Sequence, residues 1–132
     1  MNLRIILRGR PYTKKNHSQI IKAGNRRMVI PSPEYRQYEK ECMYQIPPKA
    51  KQRIDFPVNV QCVYYMGRRN RVDISNLNSA MHDILVAAHV LSDDNRDVVA
   101  GTDGSRVFYD KNNPRVEITI TSMAGYEQWK KY

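Results

Sequence analysis

Leu77-Asn78-Ser79-Ala80-Met81-His82-Asp83-Ile84-Leu85-Val86-Ala87-Ala88 is the stretch that decides the fold. Leu77, Ala80, Met81, Ile84, Leu85 and Ala88 recur at i, i+3, i+4, i+7, i+8 and i+11, the stripe of a helix that buries one face. Ser75 or Asn76 can cap its start. Upstream, Val58, Val60, Cys62 and Tyr64 alternate with Asn59, Gln61, Val63 and Tyr65, which predicts a strand over Val58–Met66. Before it, Ser32-Pro33-Glu34 reads as a helix start: a capping serine, a proline at N1 and an acid in the first turn. Tyr35, Tyr38, Cys42 and Ile46 follow at helical spacing, and Pro47-Pro48 stop the helix. Residues 3–7 read as a first strand, residues 9–24 as a basic loop and residues 27–30 as a short returning strand. Downstream, residues 98–100 and 106–109 read as short strands. Val116, Ile118 and Ile120 alternate with Glu117, Thr119 and Thr121, a strand with one wet face. Residues 126–132 form a polar, aromatic tail with room for a helical turn or two. About five strands and two main helices predict an α+β fold, with the helices packed on one face of a mixed sheet and residues 1–132 forming a single domain.

Charge is unevenly distributed along this frame. Of the 132 residues, those at 1–71 include 16 Lys/Arg against 4 Asp/Glu, those at 72–132 include 6 against 9, and the net charge is +9. Basic residues in one part and carboxylates in another suit a protein that grips phosphates beside a cation site, although excess Lys/Arg also fits a merely solvated surface. No apolar run reaches the roughly 20 residues that span a bilayer, and the first ten residues lack the apolar core of a signal peptide. The expectation is therefore a cytoplasmic protein with no membrane partner. Cys42 and Cys62 stand far apart in no metal-binding spacing and read as reduced, buried thiols.

The chemistry-bearing stretch is Arg68-Arg69-Asn70-Arg71-Val72-Asp73-Ile74-Ser75-Asn76-Leu77, continued by Asp83 and by Asp93-Asp94-Asn95. Asp73, Asn76, Ala80 and Asp83 are spaced to lie along one side of the helix, beside its apolar stripe. Asp73 and Asp83 would stand about 15 Å apart along an ideal helix, so one ion could not bridge both directly. Asp93-Asp94 must fold back if the carboxylates are to converge. Such a cluster suits phosphodiester hydrolysis, in which Mg²⁺ neutralises phosphoryl charge and activates water, and short acceptor-only aspartates suit a hard, octahedral ion. Spacing alone equally fits ordinary helix caps and turns. Arg8, Arg10, Lys14 and Lys15 are read as phosphate clamps, and Arg68, Arg69 and Arg71, leading into the acidic segment, as the foremost DNA contacts. Tyr12, Tyr64, Tyr65 and Trp129 could stack on unpaired bases, against the alternative of core packing.

The segment Asp73-Ile74-Ser75-Asn76-Leu77, followed by Asp83-Ile84-Leu85 and Leu91-Ser92-Asp93-Asp94, resembles the RusA family of bacterial and phage Holliday-junction resolvases. Pro11 and Asn16, Ser32 with Tyr35, and the closing Glu117-Ile118-Thr119-Ile120 also look like family features. The resemblance implies one RusA-like endonuclease domain over residues 1–132. It further implies a homodimer that makes paired symmetric nicks in four-way DNA junctions during recombination and repair. Mg²⁺, with Mn²⁺ able to replace it, would be the cofactor, with no small-molecule cofactor. It also implies catalytic roles for Asp73, Asp83 and Asp94, with Asp93 joining them as metal ligands and Asn76 as the motif asparagine. Two positions depart from the pattern: Ser75 stands for the second motif carboxylate and Ser79 for the catalytic lysine. His82, one turn beyond Ser79, is the nearest candidate for the missing cation, against a reading as a surface histidine. The alternatives are a structure-selective DNA-binding protein of the same fold with reduced or lost cleavage and, more weakly, an RNA-binding or basic accessory protein.

Overall fold

The computed structural model describes residues 1–14 and 19–123. In chain order it contains β1 (Asn2–Arg8), β2 (Gln19–Ala23), β3 (Arg26–Ile30), α1 (Pro33–Gln45), a 3₁₀ turn (Pro48–Ala50), β4 (Val58–Met66), α2 (Ile74–Ala87), β5 (Val99–Gly101), β6 (Arg106–Tyr109) and β7 (Arg115–Ser122). β4 is the organising strand. Along one edge it pairs antiparallel with β7, which pairs antiparallel with β1. Along its other edge it pairs in parallel with β5 near its start and with β6 near its end. The sheet is therefore mixed, as expected. β2 and β3 form a separate hairpin.

Period-2 alternation sorts the sheet into two faces. Ile5, Leu7, Val58, Val60, Cys62, Tyr64, Val116, Ile118 and Ile120 point into the core. There they meet Tyr35, Tyr38 and Cys42 of α1 and Leu77, Ala80, Met81, Ile84 and Leu85 of α2. Both helices thus cover one face of the sheet, an α+β architecture in a single small domain. Burial pushes the Cys62 thiol up to about 12, so it remains a protonated core group.

Three local expectations need correction. Residues 9–24 are not all loop, because β2 occupies their C-terminal part and Gly24-Asn25 turns the chain into β3. Among the described residues seven strands form rather than about five. The cap of α2 is neither Ser75 nor Asn76: the Asp73 side chain accepts the Ser75 N–H at 2.8 Å. Ser32 does cap α1, accepting from the Tyr35 N–H at 3.1 Å, and the helix ends before Pro47. Residues 126–132, read as a tail, lie outside the described residues.

The end of α2 aims the chain toward Asp93 and Asp94. His89 adopts φ +65°, its N–H bonds the Val86 carbonyl at 3.0 Å, and the Val90 N–H bonds the Leu85 carbonyl at 2.9 Å. This is the paired C-terminal closure that normally takes glycine. The His89 backbone N–H thus meets one of the last helical carbonyls, while its side chain is exposed. His89→Gly should therefore raise stability by about 1 kcal/mol, roughly 4 °C in Tm, by relieving the left-handed conformation. Thermal melts check this, and a fall in Tm would mean that the imidazole itself holds the turn.

Gly104 fixes how β5 and β6 share one edge of β4. At φ +85° it lies so close to Gln61 that a Cβ there would stand 2.5 Å from the Gln61 amide nitrogen. Gln61 donates to the Gly104 carbonyl, and Asn59 exchanges bonds with the backbone of Asp103. These amides replace the ladder between the two short parallel pairings.

Candidate functional site

The site begins where β4 ends. Residues 67–73 lead from Met66 to the N-terminus of α2, which runs back along the sheet toward the Ile54–Leu91 bridge beside the start of β4. Asp73 therefore stands at one end of α2, and Asp83 lies about 15 Å farther along its axis by helical rise. Beyond the turn at His89, Asp93 and Asp94 return toward Asp83. Asp93 accepts the Asp94 N–H at 2.7 Å. The Asp94 carboxyl is held above its ordinary range by desolvation first, then by the Asp93 and Asp83 carboxylates that face it. The structure thus joins Asp83, Asp93 and Asp94, while Asp73 is committed to its cap. Among the described residues, no three Asp, Glu, His or Cys side chains are grouped closely enough to hold a metal ion as they stand. One Asp93 oxygen is engaged by backbone, and Asp83 is engaged by a lysine.

That lysine is Lys14. Its ammonium donates to Asp83 Oδ2 across 69 positions of sequence. Local spacing carried no sign of this contact, which depends on how the N-terminal segment folds over α1. Pro11 and Thr13 are buried, and the Tyr12 ring meets the edge of Tyr38 at 6.0 Å. Tyr35 is a second neighbour that sequence reading missed. Burial foremost, then the Glu39 and Asp83 carboxylates, raises its hydroxyl, which is buried with no hydrogen-bond partner among the described residues.

His82 is not a surface histidine. It is half-buried, its Nε2 finds no hydrogen-bond partner among the described residues, and desolvation lowers its pKa against the opposing pull of Asp83. Near neutral pH it is an uncharged ring and does not supply the missing cation. Ser75 and Ser79 are both exposed on α2.

The predicted phosphate contacts gather at one end of the sheet. Arg8 closes β1 opposite Arg115, which pairs with Tyr65 near the end of β4. Arg8 also donates to Asn113 at 3.3 Å. Arg10 lies against Gly67, where a Cβ would come within 2.8 Å of its side chain. Arg10 and Arg68 line one small cleft with Tyr12 and Asn70. The Arg69 guanidinium sits 4.3 Å over the ring of Tyr109, and Arg71 is exposed just before Asp73. Lys14 lies apart from this group, on Asp83, and Lys15 falls outside the described residues, as does Trp129. Of the tyrosines, Tyr64 is core, with its hydroxyl on Asn78 at 2.8 Å. Tyr65 lies on the opposite sheet face, 5.6 Å from Phe108 and under the Arg115 guanidinium at 3.8 Å.

An open cleft of about 420 Å³, lined by Arg10, Tyr12, Gln37, Tyr38 and Glu41 among others, includes none of the aspartates. A chain of phosphates is gripped by a charged surface rather than swallowed by a pocket, so the basic end and the carboxylates define the site better than concavity does. No helix among the described residues is long and apolar enough to cross a membrane.

The family model described as endodeoxyribonuclease RusA matches residues 8–121. No curated protein matches the chain.

Proposed function

Because the chain belongs to the RusA endodeoxyribonuclease family, we propose that it resolves four-way DNA junctions by divalent-metal-dependent hydrolysis at Asp83, Asp93 and Asp94, with Asp73 capping α2 about 15 Å away along the helix. The observation that carries this reading is the return of Asp94 onto Asp83, which sets carboxylates from α2 and from the segment after it against each other. The donor chemistry fits a hard cation: it is all carboxylate oxygen and comes from two separate elements. Bound Mg²⁺ or Mn²⁺ supplies Lewis acidity and positive charge at the phosphate.

The chain's own residues do the rest. Arg68, Arg69 and Arg71, with Arg8 and Arg10 at the same end of the sheet, neutralise phosphates flanking the cut and hold the strand in register. Hydrolysis joins a water oxygen to phosphorus and breaks the bond from phosphorus to one sugar oxygen. The water loses a proton to solvent and the departing oxygen takes one up, leaving a phosphate and a hydroxyl at the nick. A homodimer with two-fold symmetry would present two such sites to the two equivalent strands of a four-way junction.

A binding protein that has lost cleavage is the second reading, favoured by the uncharged Ser75 and Ser79 on the exposed surface of α2. A labelled four-way junction and a linear duplex of the same sequence, incubated with the protein in Mg²⁺, Mn²⁺ or EDTA, separate the two. The nuclease reading expects paired nicks in the junction, only with metal, and little cutting of the duplex. Tight junction binding without nicks in either metal would leave the second reading standing.

A further inference from the structure

We propose that Lys14 is a catalytic residue whose ammonium supplies the positive charge that the motif lacks at Ser79, by moving from Asp83 onto a non-bridging oxygen of the scissile phosphate. The proposal rests on the endonuclease reading above and assigns one residue within it. Its basis is where the Lys14 ammonium lies. It donates to Asp83 Oδ2, and Asp83 is the carboxylate that faces Asp94. Ser79 is four positions before Asp83 on α2, so a lysine at 79 would reach along the helix to the same carboxylate. A cation delivered from the N-terminal segment therefore arrives at the place that a helix-borne lysine would occupy.

Three features suit Lys14 to the role. Its attachment is firm, since Pro11 and Thr13 are buried and Tyr12 packs on Tyr38, which fixes the backbone leading to it. Its head is reachable: the side chains of Lys14 and Asp83 are 44% and 36% exposed, so a phosphate can approach both. Its release is cheap, because an ion pair this exposed contributes little to stability. An ammonium set against developing phosphoryl charge typically carries a rate factor of about 10²–10³.

A double substitution tests the assignment. Single-turnover cutting of a labelled four-way junction in Mg²⁺ would be compared for wild type, Lys14→Ala, Ser79→Lys and Lys14→Ala/Ser79→Lys. Junction affinity in EDTA and melting temperature would be measured beside each. Lys14→Ala should cut about 100-fold more slowly, with affinity within a few-fold of wild type and an unchanged melt. Adding Ser79→Lys should recover at least about a tenth of the wild-type rate. Wild-type cutting by Lys14→Ala would overturn the proposal, as would a loss that Ser79→Lys does not recover. A loss matched by an equal fall in EDTA affinity would make Lys14 a phosphate clamp and also overturn it. A wild-type protein that binds but never cuts would overturn the endonuclease reading itself, and this proposal with it.

Discussion

Asp94→Asn should slow junction cutting by about 10³-fold while leaving the metal-free protein as stable as the wild type, or more so. The rate loss follows from removing a charged oxygen donor where phosphoryl charge must be offset. The stability result follows from the sign of the Asp94 shift. Desolvation, then the Asp93 and Asp83 carboxylates, raises its folded-state pKa above the ordinary carboxylate value. A group with a raised folded pKa binds its proton more tightly in the native state. Its favourable contribution is complete below the unfolded pKa, near 4, and disappears as pH rises through the folded value. At neutral pH the ionised Asp94 therefore works against the fold, and asparagine removes that charge. Melts of both proteins from pH 4 to 8 should show the variant equal or higher at pH 7, with the gap closing toward pH 4. A variant clearly less stable at pH 7 would mean that Asp94 holds its turn together by contacts that asparagine cannot make.

Leu85→Ala should behave in the opposite way, with the largest loss of stability and no specific loss of chemistry. Leu85 is fully buried, and its carbonyl accepts from the N–H groups of both Val90 and Leu91. Its side chain anchors α2 two positions after Asp83, just before the turn that returns Asp93 and Asp94. Truncation leaves a cavity under that turn and should cost about 3 kcal/mol, roughly 10 °C in Tm for a domain of this size. Cutting at low temperature should track the folded fraction measured by circular dichroism. A rate that collapses while the variant stays folded would show that the core beneath α2 itself sets the carboxylate geometry.

The contrast between these two variants reflects what can be read from sequence. Core positions announce themselves by period: the α2 stripe, the β4 and β7 alternation and the Ser32 cap all form as read, because each depends on neighbours a few residues away. The missed β2 had a local signal too, since Gly24-Asn25 is a two-residue hairpin turn between short runs of residues with strand propensity. Asp73 was less legible because one side chain serves two readings. Motif resemblance offers it to a metal, while the unpaired amide of Ser75 takes its oxygen at 2.8 Å. The Lys14–Asp83 contact was not legible at all, because it joins residues 69 positions apart through a segment anchored on α1. The burial that makes His82 neutral is likewise a tertiary fact.

Divalent-ion binding followed by melting temperature tests most directly whether the Asp83–Asp94 carboxylates are a cation site. For the wild type, Mg²⁺ or Mn²⁺ at 100 times its dissociation constant should add about 2.7 kcal/mol to stability. Asp94→Asn should lose most of that gain, and Ca²⁺-free, EDTA-treated samples of both should melt close together. Equal metal-induced shifts in wild type and Asp94→Asn would contradict the assignment and move the metal away from Asp94.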